Sequence, residues 1–275
     1  MRRWPFSIAP ATPKALALLQ RLFASTKALD EPRLLSAGWD RYARQWHPAH
    51  CEVLPGGQVQ FLGDEWTLED PDQVGSSYGL SADTIQRFDE YLSRELLDRY
   101  LPAHAEQGLE IGPGGGRVTE LLIPRTDVLH LTDAADAMLK RLRLRFGSEQ
   151  NLRFYHSDGM TLPPLPNASL DYAIAFDVFV HFEPRLVFWY LQQIATLLKP
   201  GGIGIIHYAN LLTEGGWRLF ERHLQSNVKQ RTAFAAFGTM CPELMTRFLT
   251  ALGLDIVSSD IELIPRDAVA VFRKI

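Results

Sequence analysis

The residues best suited to chemistry lie in a short glycine-rich stretch, residues 109–121, with the sequence LEIGPGGGRVTEL. An apolar run ends at Glu110, and glycine follows at positions 112, 114, 115 and 116. Glycine permits positive φ and lacks the Cβ that would hold a ligand away from the main chain. Because the apolar run suits a buried strand and residues 117–122 suit a helix, we expect a strand-to-helix turn that binds a nucleotide-like ligand.

The turn departs from the dinucleotide-binding fingerprint G-x-G-x-x-G. Counted from Gly112, that fingerprint needs a glycine at position 117, where this chain has arginine. We also find no catalytic Tyr-x-x-x-Lys pair in a suitable place. An NAD(P)-dependent oxidoreductase is therefore the disfavoured alternative, and a tight turn that binds nothing is a second one.

Carboxylates follow the next two predicted strands. A β-compatible run at 128–132 ends at Asp133, twenty-one positions after Gly112, a spacing usual for a βαβ unit. A carboxylate there can accept both ribose hydroxyls of an adenosine ligand, or it can cap the amphipathic helix predicted at 134–146. A third strand at 152–156 precedes Asp158 and Gly159, a pair that in isolation favours a simple turn.

Taken in order, these motifs resemble those of the class I S-adenosylmethionine-dependent methyltransferases. Residues 110–116 have the acidic-x-Gly-x-Gly-x-Gly pattern of the first motif, and residues 132–139 resemble the second. A buried strand at 170–176 and a Pro-Gly-Gly turn with a following strand within 197–208 extend the resemblance over about residues 105–210. The resemblance implies an α/β fold: a Rossmann-like seven-stranded mixed sheet, mostly parallel with a reversed last strand, flanked by helices.

The resemblance also implies S-adenosylmethionine as the cofactor and S-adenosylhomocysteine as its product. Asp133 would bind the ribose, and Asp158 would accept a hydrogen bond from the adenine amine. The implied cofactor-binding residues are Glu110, Gly112, Gly114, Gly116, Asp133, Ala134, Met138, Asp158, Gly159, Met160 and Phe176.

An N-terminal helical extension or lid is expected at residues 1–80, ahead of a methyltransferase core at 81–275. Trp39, Tyr42 and Trp46 lie along one side of a helix predicted at 34–46, a pattern that more often marks core than a binding surface. Because extensions in the superfamily commonly lie over the cofactor, we assign Trp39 and Tyr42 to the cofactor and Trp46 to the substrate. The segment at about 211–240 is expected to be an insertion that walls the acceptor pocket.

Two histidines are candidate general bases, because imidazole is the side chain most easily poised near neutral pH. His181 follows the fourth predicted strand and His207 closes the fifth, where ligands of open parallel sheets bind. His181 could instead only orient its loop and cap the next helix. His156, at the end of the third strand, is expected to be structural.

The remaining candidates are residues predicted to bind the methyl acceptor. Asp177, Tyr208, Trp46 and Trp217 are the predicted substrate-binding residues. Asp177 and Asn210 also provide two of the three hard oxygen ligands that a Mg²⁺ site would need. Because the third ligand is missing from the pattern, no metal site is predicted.

Composition limits the chemical class of the methyl acceptor. The 275-residue chain has a net charge of −4, so nothing indicates a surface that attracts nucleic acid. No apolar run approaches the ~20 residues that span a bilayer, and the two cysteines suit a reduced, cytoplasmic protein. We expect methyl transfer to a hydroxyl oxygen of a small organic acceptor: a sugar, a phenol or a natural-product intermediate. A catalytically silent protein with the same fold is an alternative, and the oligomeric state is unknown from sequence.

Overall fold

The computed structural model describes residues 37–41, 51–53, 59–61, 81, 83–84, 87–230 and 237–275. For residues 51–53, 59–61, 223 and 225–230 it describes the backbone alone. The chain separates into two units, Met1–Glu31 and Pro32–Ile275, and every described residue lies in the second. The predicted contributions of Tyr42 and Trp46 fall outside the described residues and stay predictions, as do the proposed domain boundaries.

Two sheets are present in the described part of the chain. Strands β1 (Cys51–Val53) and β2 (Val59–Phe61) form an antiparallel pair. The central sheet has seven strands: β3 (Ala105–Ile111), β4 (Thr126–Asp133), β5 (Leu152–His156), β6 (Leu170–Phe179), β7 (Leu198–Ala209), β8 (Leu254–Ile261) and β9 (Asp267–Lys274). Their order across the sheet is β5-β4-β3-β6-β7-β9-β8. Strand β9 is antiparallel to both of its neighbours, and the other six strands share one direction. The predicted mixed sheet with a reversed last strand is confirmed.

Helices flank this sheet. They are α1 (Phe88–Leu92), α2 (Asp98–Tyr100), α3 (Arg117–Leu122), α4 (Asp136–Arg145), α5 (Pro184–Leu197), α6 (Glu214–Gln230) and α7 (Pro242–Ala251), and residues 37–41 add one helical turn. A π-helical segment, Ser93–Leu97, joins α1 to α2. Among the described residues, no helix is both long and apolar enough to cross a bilayer.

The core lies on both faces of the sheet because the central strands alternate between two apolar layers. On β6, Ile174 packs with α1, α3 and α4, while Ala173 and Ala175 pack with α5 and α7. On β7, Ile205 and Ile206 divide in the same way, and all five side chains are fully buried. Burial of a large aliphatic side chain contributes about 1.5–3 kcal/mol relative to its exposure. These layers fix the strand ends against one another.

The carboxyl ends of β3, β4, β5, β6 and β7 meet along one edge of the sheet, since these strands are parallel. Most of the residues singled out from the sequence lie at or just beyond this edge. Ligands of open α/β sheets bind in the crevice outside the carboxyl ends of the strands. The fold therefore gathers candidates that are widely separated in the chain.

Candidate active site

The glycine-rich loop joins β3 to α3, as predicted. Gly112, Gly114 and Gly116 have φ angles of +65°, +52° and +89°, a region that side chains rarely adopt. The amide of Gly112 donates to the carbonyl of Thr132 at 2.8 Å, which fastens the loop to the end of β4. The loop thus lies between the ends of the two strands predicted to hold the cofactor.

The three glycines differ in what surrounds them. A Cβ on Gly112 would lie 2.4 Å from Val178 Cγ2, and one on Gly116 would lie 2.5 Å from Phe146 Cε2. These two positions therefore need glycine for packing within the protein. A Cβ on Gly114 would meet no atom of the described residues within 4 Å. Of the three, Gly114 is the one that does not need glycine for packing against the described part of the protein.

Arg145, at the end of α4, braces this loop. Its guanidinium donates to the carbonyl of Gly115 at 2.6 Å and pairs with Glu120 on α3. This role was not predicted from the sequence, because a basic residue in the last turn of a helix ordinarily only complements the helix dipole. The contact leaves the loop in a defined conformation before any ligand binds.

Glu110 is almost fully buried and accepts a hydrogen bond from Thr119 Oγ1 at 2.7 Å. Burial raises the pKa of Glu110 to about 8, against the opposing effect of the Thr119 hydrogen bond. The carboxyl is therefore largely protonated at neutral pH and ties β3 to α3. Its predicted contact with the cofactor stays a prediction.

Asp133 ends β4 beside the glycine loop. Its Oδ1 accepts from the amide of Ala135 at 2.7 Å, and the amides of Gly114 and Ala134 also bond to the carboxylate. Although part of the residue reaches solvent, the protein around the carboxyl group raises its pKa to about 6. At neutral pH Asp133 is ionised and oriented by the main chain, as a ribose-binding carboxylate requires.

The loop after β5 carries Asp158, Gly159 and Met160. Asp158 Oδ1 accepts from the amides of Met160 at 2.8 Å and Thr161 at 2.7 Å. Burial acts to raise the pKa of Asp158, but these hydrogen bonds outweigh it and the pKa is lowered. The turn anticipated from the Asp-Gly pair is present, and the exposed carboxylate already serves it. Adenine binding by Asp158, Gly159 and Met160 stays a prediction.

Helix α5 holds the same loop from the other side. Trp189 Nε1 and Gln193 Nε2 donate to the carbonyl of Met160 at 2.9 and 2.8 Å, and Gln193 Oε1 accepts from the amide of Leu162 at 2.9 Å. Neither α5 residue was identified from the sequence. Their contacts fix the main chain that would face the edge of an adenine ring.

Trp39 lies against residues that follow β4 and β6. Its indole packs on Ala135 and Met138, and its ring centroid lies 5.0 Å from that of His181. His181 is half-buried, and its amide donates to the carbonyl of Val178 at 3.1 Å. The structure therefore brings together three of the predicted residues: Trp39, Met138 and His181.

The opposite side of the cleft, at the ends of β6 and β7, contains a buried polar network. His207 is completely buried, and its Nδ1 accepts from the amide of Asp177 at 3.0 Å. Its Nε2 lies 3.1 Å from Asp267 Oδ2. The ring also stacks on Phe176, with centroids 4.5 Å apart. His207 is therefore not an accessible general base, and that prediction is wrong.

Asp177 has a φ of +58°, which is uncommon for a residue other than glycine. The hydrogen bond from the Asp177 amide to His207 holds the residue in that conformation. The Asp177 carboxylate lies 3.8 Å from the guanidinium of Arg266. Strained backbone of this kind costs of order 1–3 kcal/mol and clusters at functional sites. The carboxylate is partly exposed, so Asp177 is still a candidate residue for binding the methyl acceptor.

Arg266 and Asp267 complete the network. Arg266 Nε lies 2.9 Å from Asp267 Oδ1, its terminal nitrogen lies 2.6 Å from Oδ2, and its guanidinium lies over the ring of Phe237. Burial acts to raise the pKa of Asp267, but the hydrogen bond from His207 and the charge of Arg266 outweigh it, and the pKa is lowered. Neither residue was identified from the sequence. The local signal is a charged pair, Arg266 and Asp267, followed by five apolar residues.

Tyr208 does not face the cleft. Its side chain is fully buried in the apolar layer against α5 and α7, and its hydroxyl donates to the carbonyl of Ser259. The prediction that Tyr208 binds substrate is wrong, because adjacent residues of a strand point to opposite faces and both faces of this sheet are covered.

Three other candidates lie near the edge of the sheet. Trp217 is about half exposed on α6 and contacts the ring of Phe220, and His156 is exposed at the end of β5. Asn210 is buried, and its Oδ1 accepts from the amide of Leu212 at 3.0 Å. Within the described ranges, no three His, Cys, Asp or Glu side chains are grouped to hold a metal ion.

Comparisons with known proteins agree with this geometry. Residues 109–202 match a family described as a methyltransferase domain. An O-methyltransferase from Pyrenophora dematioidea is 28% identical over 123 residues, which cover 43% of this chain and 45% of that protein. The alignment therefore spans less than half of that relative.

Solved structures share the fold at low sequence identity. A SAM-dependent methyltransferase from Methanosarcina mazei has a TM-score of 0.53 at 14% identity, covering 66% of this chain and 97% of that one. The PH0226 protein from Pyrococcus horikoshii has a TM-score of 0.51 at 20% identity, covering 69% and 91%. The N-methyltransferase NodS from Bradyrhizobium japonicum, solved with S-adenosyl-L-homocysteine, has a TM-score of 0.50 at 18% identity, covering 69% and 87%. The chain therefore has the fold of these structures, and its residues 109–202, which include the glycine loop and strand β4, are similar to a methyltransferase domain.

Proposed function

We propose that this protein binds S-adenosylmethionine at the carboxyl ends of β3, β4 and β5 and transfers its methyl group to a hydroxyl oxygen of a small organic acceptor. The observation that carries the proposal is the pairing of Gly114 with Asp133. Gly114 leaves open space beside the main chain, and the Asp133 carboxylate next to it is fixed by backbone amides. Together they offer the two contacts that an adenosyl group needs.

The donor residues act by binding and orientation. Asp133 accepts hydrogen bonds from the two ribose hydroxyls, since both oxygens of an ionised carboxylate are acceptors. The loop held by Trp189 and Gln193 presents its amides to the adenine edge. When bound, S-adenosylmethionine supplies a methyl group activated by its sulfonium centre. Correct placement and exclusion of water then supply much of the rate.

The acceptor residues lie at the ends of β6 and β7. Asp177 is held by His207 and Arg266 with its carboxylate partly exposed, so it can accept a hydrogen bond from an acceptor hydroxyl. His181 is half-buried beside Trp39 and is the remaining candidate to receive the hydroxyl proton. We assign the acceptor to the small organic class, because a net charge of −4 offers nothing to attract nucleic acid. The O-methyltransferase relative supports oxygen as the methylated atom.

Calorimetry tests the donor assignment. The protein should bind S-adenosylmethionine and S-adenosylhomocysteine and should not bind NAD. Binding of NAD without either adenosyl compound would overturn the proposal and favour an oxidoreductase. Donor binding without turnover on any acceptor would instead favour a silent binding protein.

An acceptor panel tests the transfer. Matched phenols, sugars and amines should be incubated with S-adenosylmethionine while release of S-adenosylhomocysteine is followed. Hydroxyl acceptors should react, and the new methyl group should be located on oxygen by NMR. Replacing His181 by alanine should lower kcat by more than about tenfold with donor affinity unchanged, as expected for a general base. A smaller loss would assign His181 a positioning role.

A further inference from the structure

The helical turn at residues 37–41, called the strap below, is far from the core in sequence but contacts two sides of the donor cleft. Trp39 packs on Ala135 and Met138, which follow β4, and lies against His181, which follows β6. In the sheet, β3 lies between β4 and β6. The contacts of Trp39 therefore lie on both sides of β3, the strand that leads into the glycine loop.

Asp40 fastens the strap. Its Oδ1 accepts a hydrogen bond from the amide of Ala137 at 2.9 Å, across 97 positions of the sequence. Ala137 is in the first turn of α4, where backbone amides have no partner within the helix. The N-cap residue of α4 is Ala135, whose methyl side chain cannot accept a hydrogen bond. Asp40 thus supplies from a distant segment the cap that α4 lacks locally.

We propose that Trp39 forms the wall of the donor pocket opposite the glycine loop, and that Asp40 is the positioning residue that keeps it there. This inference rests on the proposed function, since it assumes that the donor binds beside Gly114 and Asp133. Asp40 acts through the strap and touches no reacting atom. Its loss should release Trp39 from Ala135, Met138 and His181, and the bound donor or product should then leave faster.

The test uses the full-length protein and S-adenosylhomocysteine, with affinity from calorimetry and dissociation rate from stopped flow. Asp40→Ala should weaken binding about tenfold through a faster dissociation rate, the change that loss of a typical helix cap corresponds to. Asp40→Asn keeps an amide oxygen that can accept from Ala137, and asparagine caps helices about as well as aspartate, so it should remain within about threefold of wild type.

Asp136→Ala is the matched control. Asp136 is in the same first turn of α4 and pairs with Lys140 on the helix surface, so its removal takes the same charge from the same helix end without releasing the strap. It should change affinity by less than about twofold, in keeping with a surface pair of small energy. An equal effect of Asp136→Ala and Asp40→Ala would overturn the inference in favour of a general charge effect.

A double-variant cycle separates positioning from simple stabilisation. If Asp40 acts through Trp39, the Trp39→Ala variant should lose affinity, and adding Asp40→Ala should weaken binding no further. Losses that add would overturn the positioning role. If the wild type binds S-adenosylhomocysteine and Asp40→Ala binds it with an affinity within twofold of wild type, the role of Asp40 is overturned. The donor assignment is then still intact. No binding of S-adenosylhomocysteine to the wild type would overturn the proposed function itself.

Discussion

The two sides of the cleft are built by different means. The donor side, at the ends of β3 and β4, depends on the main chain: positive φ at Gly114 and backbone amides that orient Asp133. The side assigned to the acceptor, at the ends of β6, β7 and β9, depends on buried side chains of His207, Arg266 and Asp267. A buried charge needs its partners, because an unpaired charge in the protein interior is costly. The two sides should therefore fail in different ways when they are mutated.

The largest expected effect is on the acceptor side. Asp267→Ala should lower the free energy of unfolding by about 3–5 kcal/mol, because it removes the nearer of the two carboxylates that face the buried guanidinium of Arg266. Urea unfolding measures this. Asp260→Ala is the control, since Asp260 is an exposed carboxylate on β8 and its loss should cost less than about 0.5 kcal/mol. Equal stabilities of the two variants would mean that the network is not needed for folding.

The next effect separates ligand binding from backbone strain on the donor side. Gly114→Val should weaken S-adenosylhomocysteine binding by at least about 100-fold, or ~2.7 kcal/mol, because the side chain fills the open space of the cradle. Gly201→Val is a close match: Gly201 also has positive φ, +81°, and also faces open space, but it lies near the amino end of β7. Both variants should lose similar stability, and only Gly114→Val should lose affinity in calorimetry. Equal affinities would place the ligand elsewhere.

A pH effect of intermediate size follows from Asp133. Its pKa of about 6 means that the carboxylate form, which accepts both ribose hydroxyls, is lost as the pH falls below 6. Affinity for S-adenosylhomocysteine should therefore fall by up to about tenfold per pH unit between pH 6 and 5. Asp133→Asn should bind more weakly and show a flat profile over this range. A wild-type profile that is equally flat would argue against Asp133 as the ribose ligand.

The smallest expected effect concerns His207. In His207→Asn, the amide oxygen can still accept from the Asp177 amide, so stability should fall by about 1 kcal/mol and donor affinity should stay within twofold of wild type. His207→Leu leaves that amide unpaired and should cost about 1–3 kcal/mol, with turnover reduced more than donor affinity. Urea unfolding and calorimetry, run side by side, measure both quantities. A loss of donor affinity in either variant would erase the distinction between the two sides.

The donor side could be predicted from sequence because its requirements are local. The spacing from Gly112 to Asp133 reflects one βαβ unit, and both residues lie where that spacing places them. Sequence alone could not tell that Gly114 faces open space while Gly112 and Gly116 are needed for packing. That difference depends on Val178 and Phe146, which approach the loop only in the folded chain.

The other side could be predicted only in part, because its residues meet through the strand order. Arg266 reaches Asp177, and Asp267 reaches His207, because β9 lies between β7 and β8, an arrangement that no local pattern encodes. His207 and Tyr208 were placed correctly at the end of β7, but their accessibility was misjudged. Since both faces of the sheet are covered, alternation along a strand cannot identify which side chain reaches the cleft.

A crystal structure with S-adenosylhomocysteine would show whether the donor binds at the ends of β3 and β4. The ribose hydroxyls should lie within hydrogen-bond distance of Asp133, and the ligand should lie against the main chain at Gly114. The contradicting result would be a ligand bound elsewhere, for example in the concavity at the opposite end of the sheet lined by Lys199 and Arg273, with the space beside Gly114 filled by water.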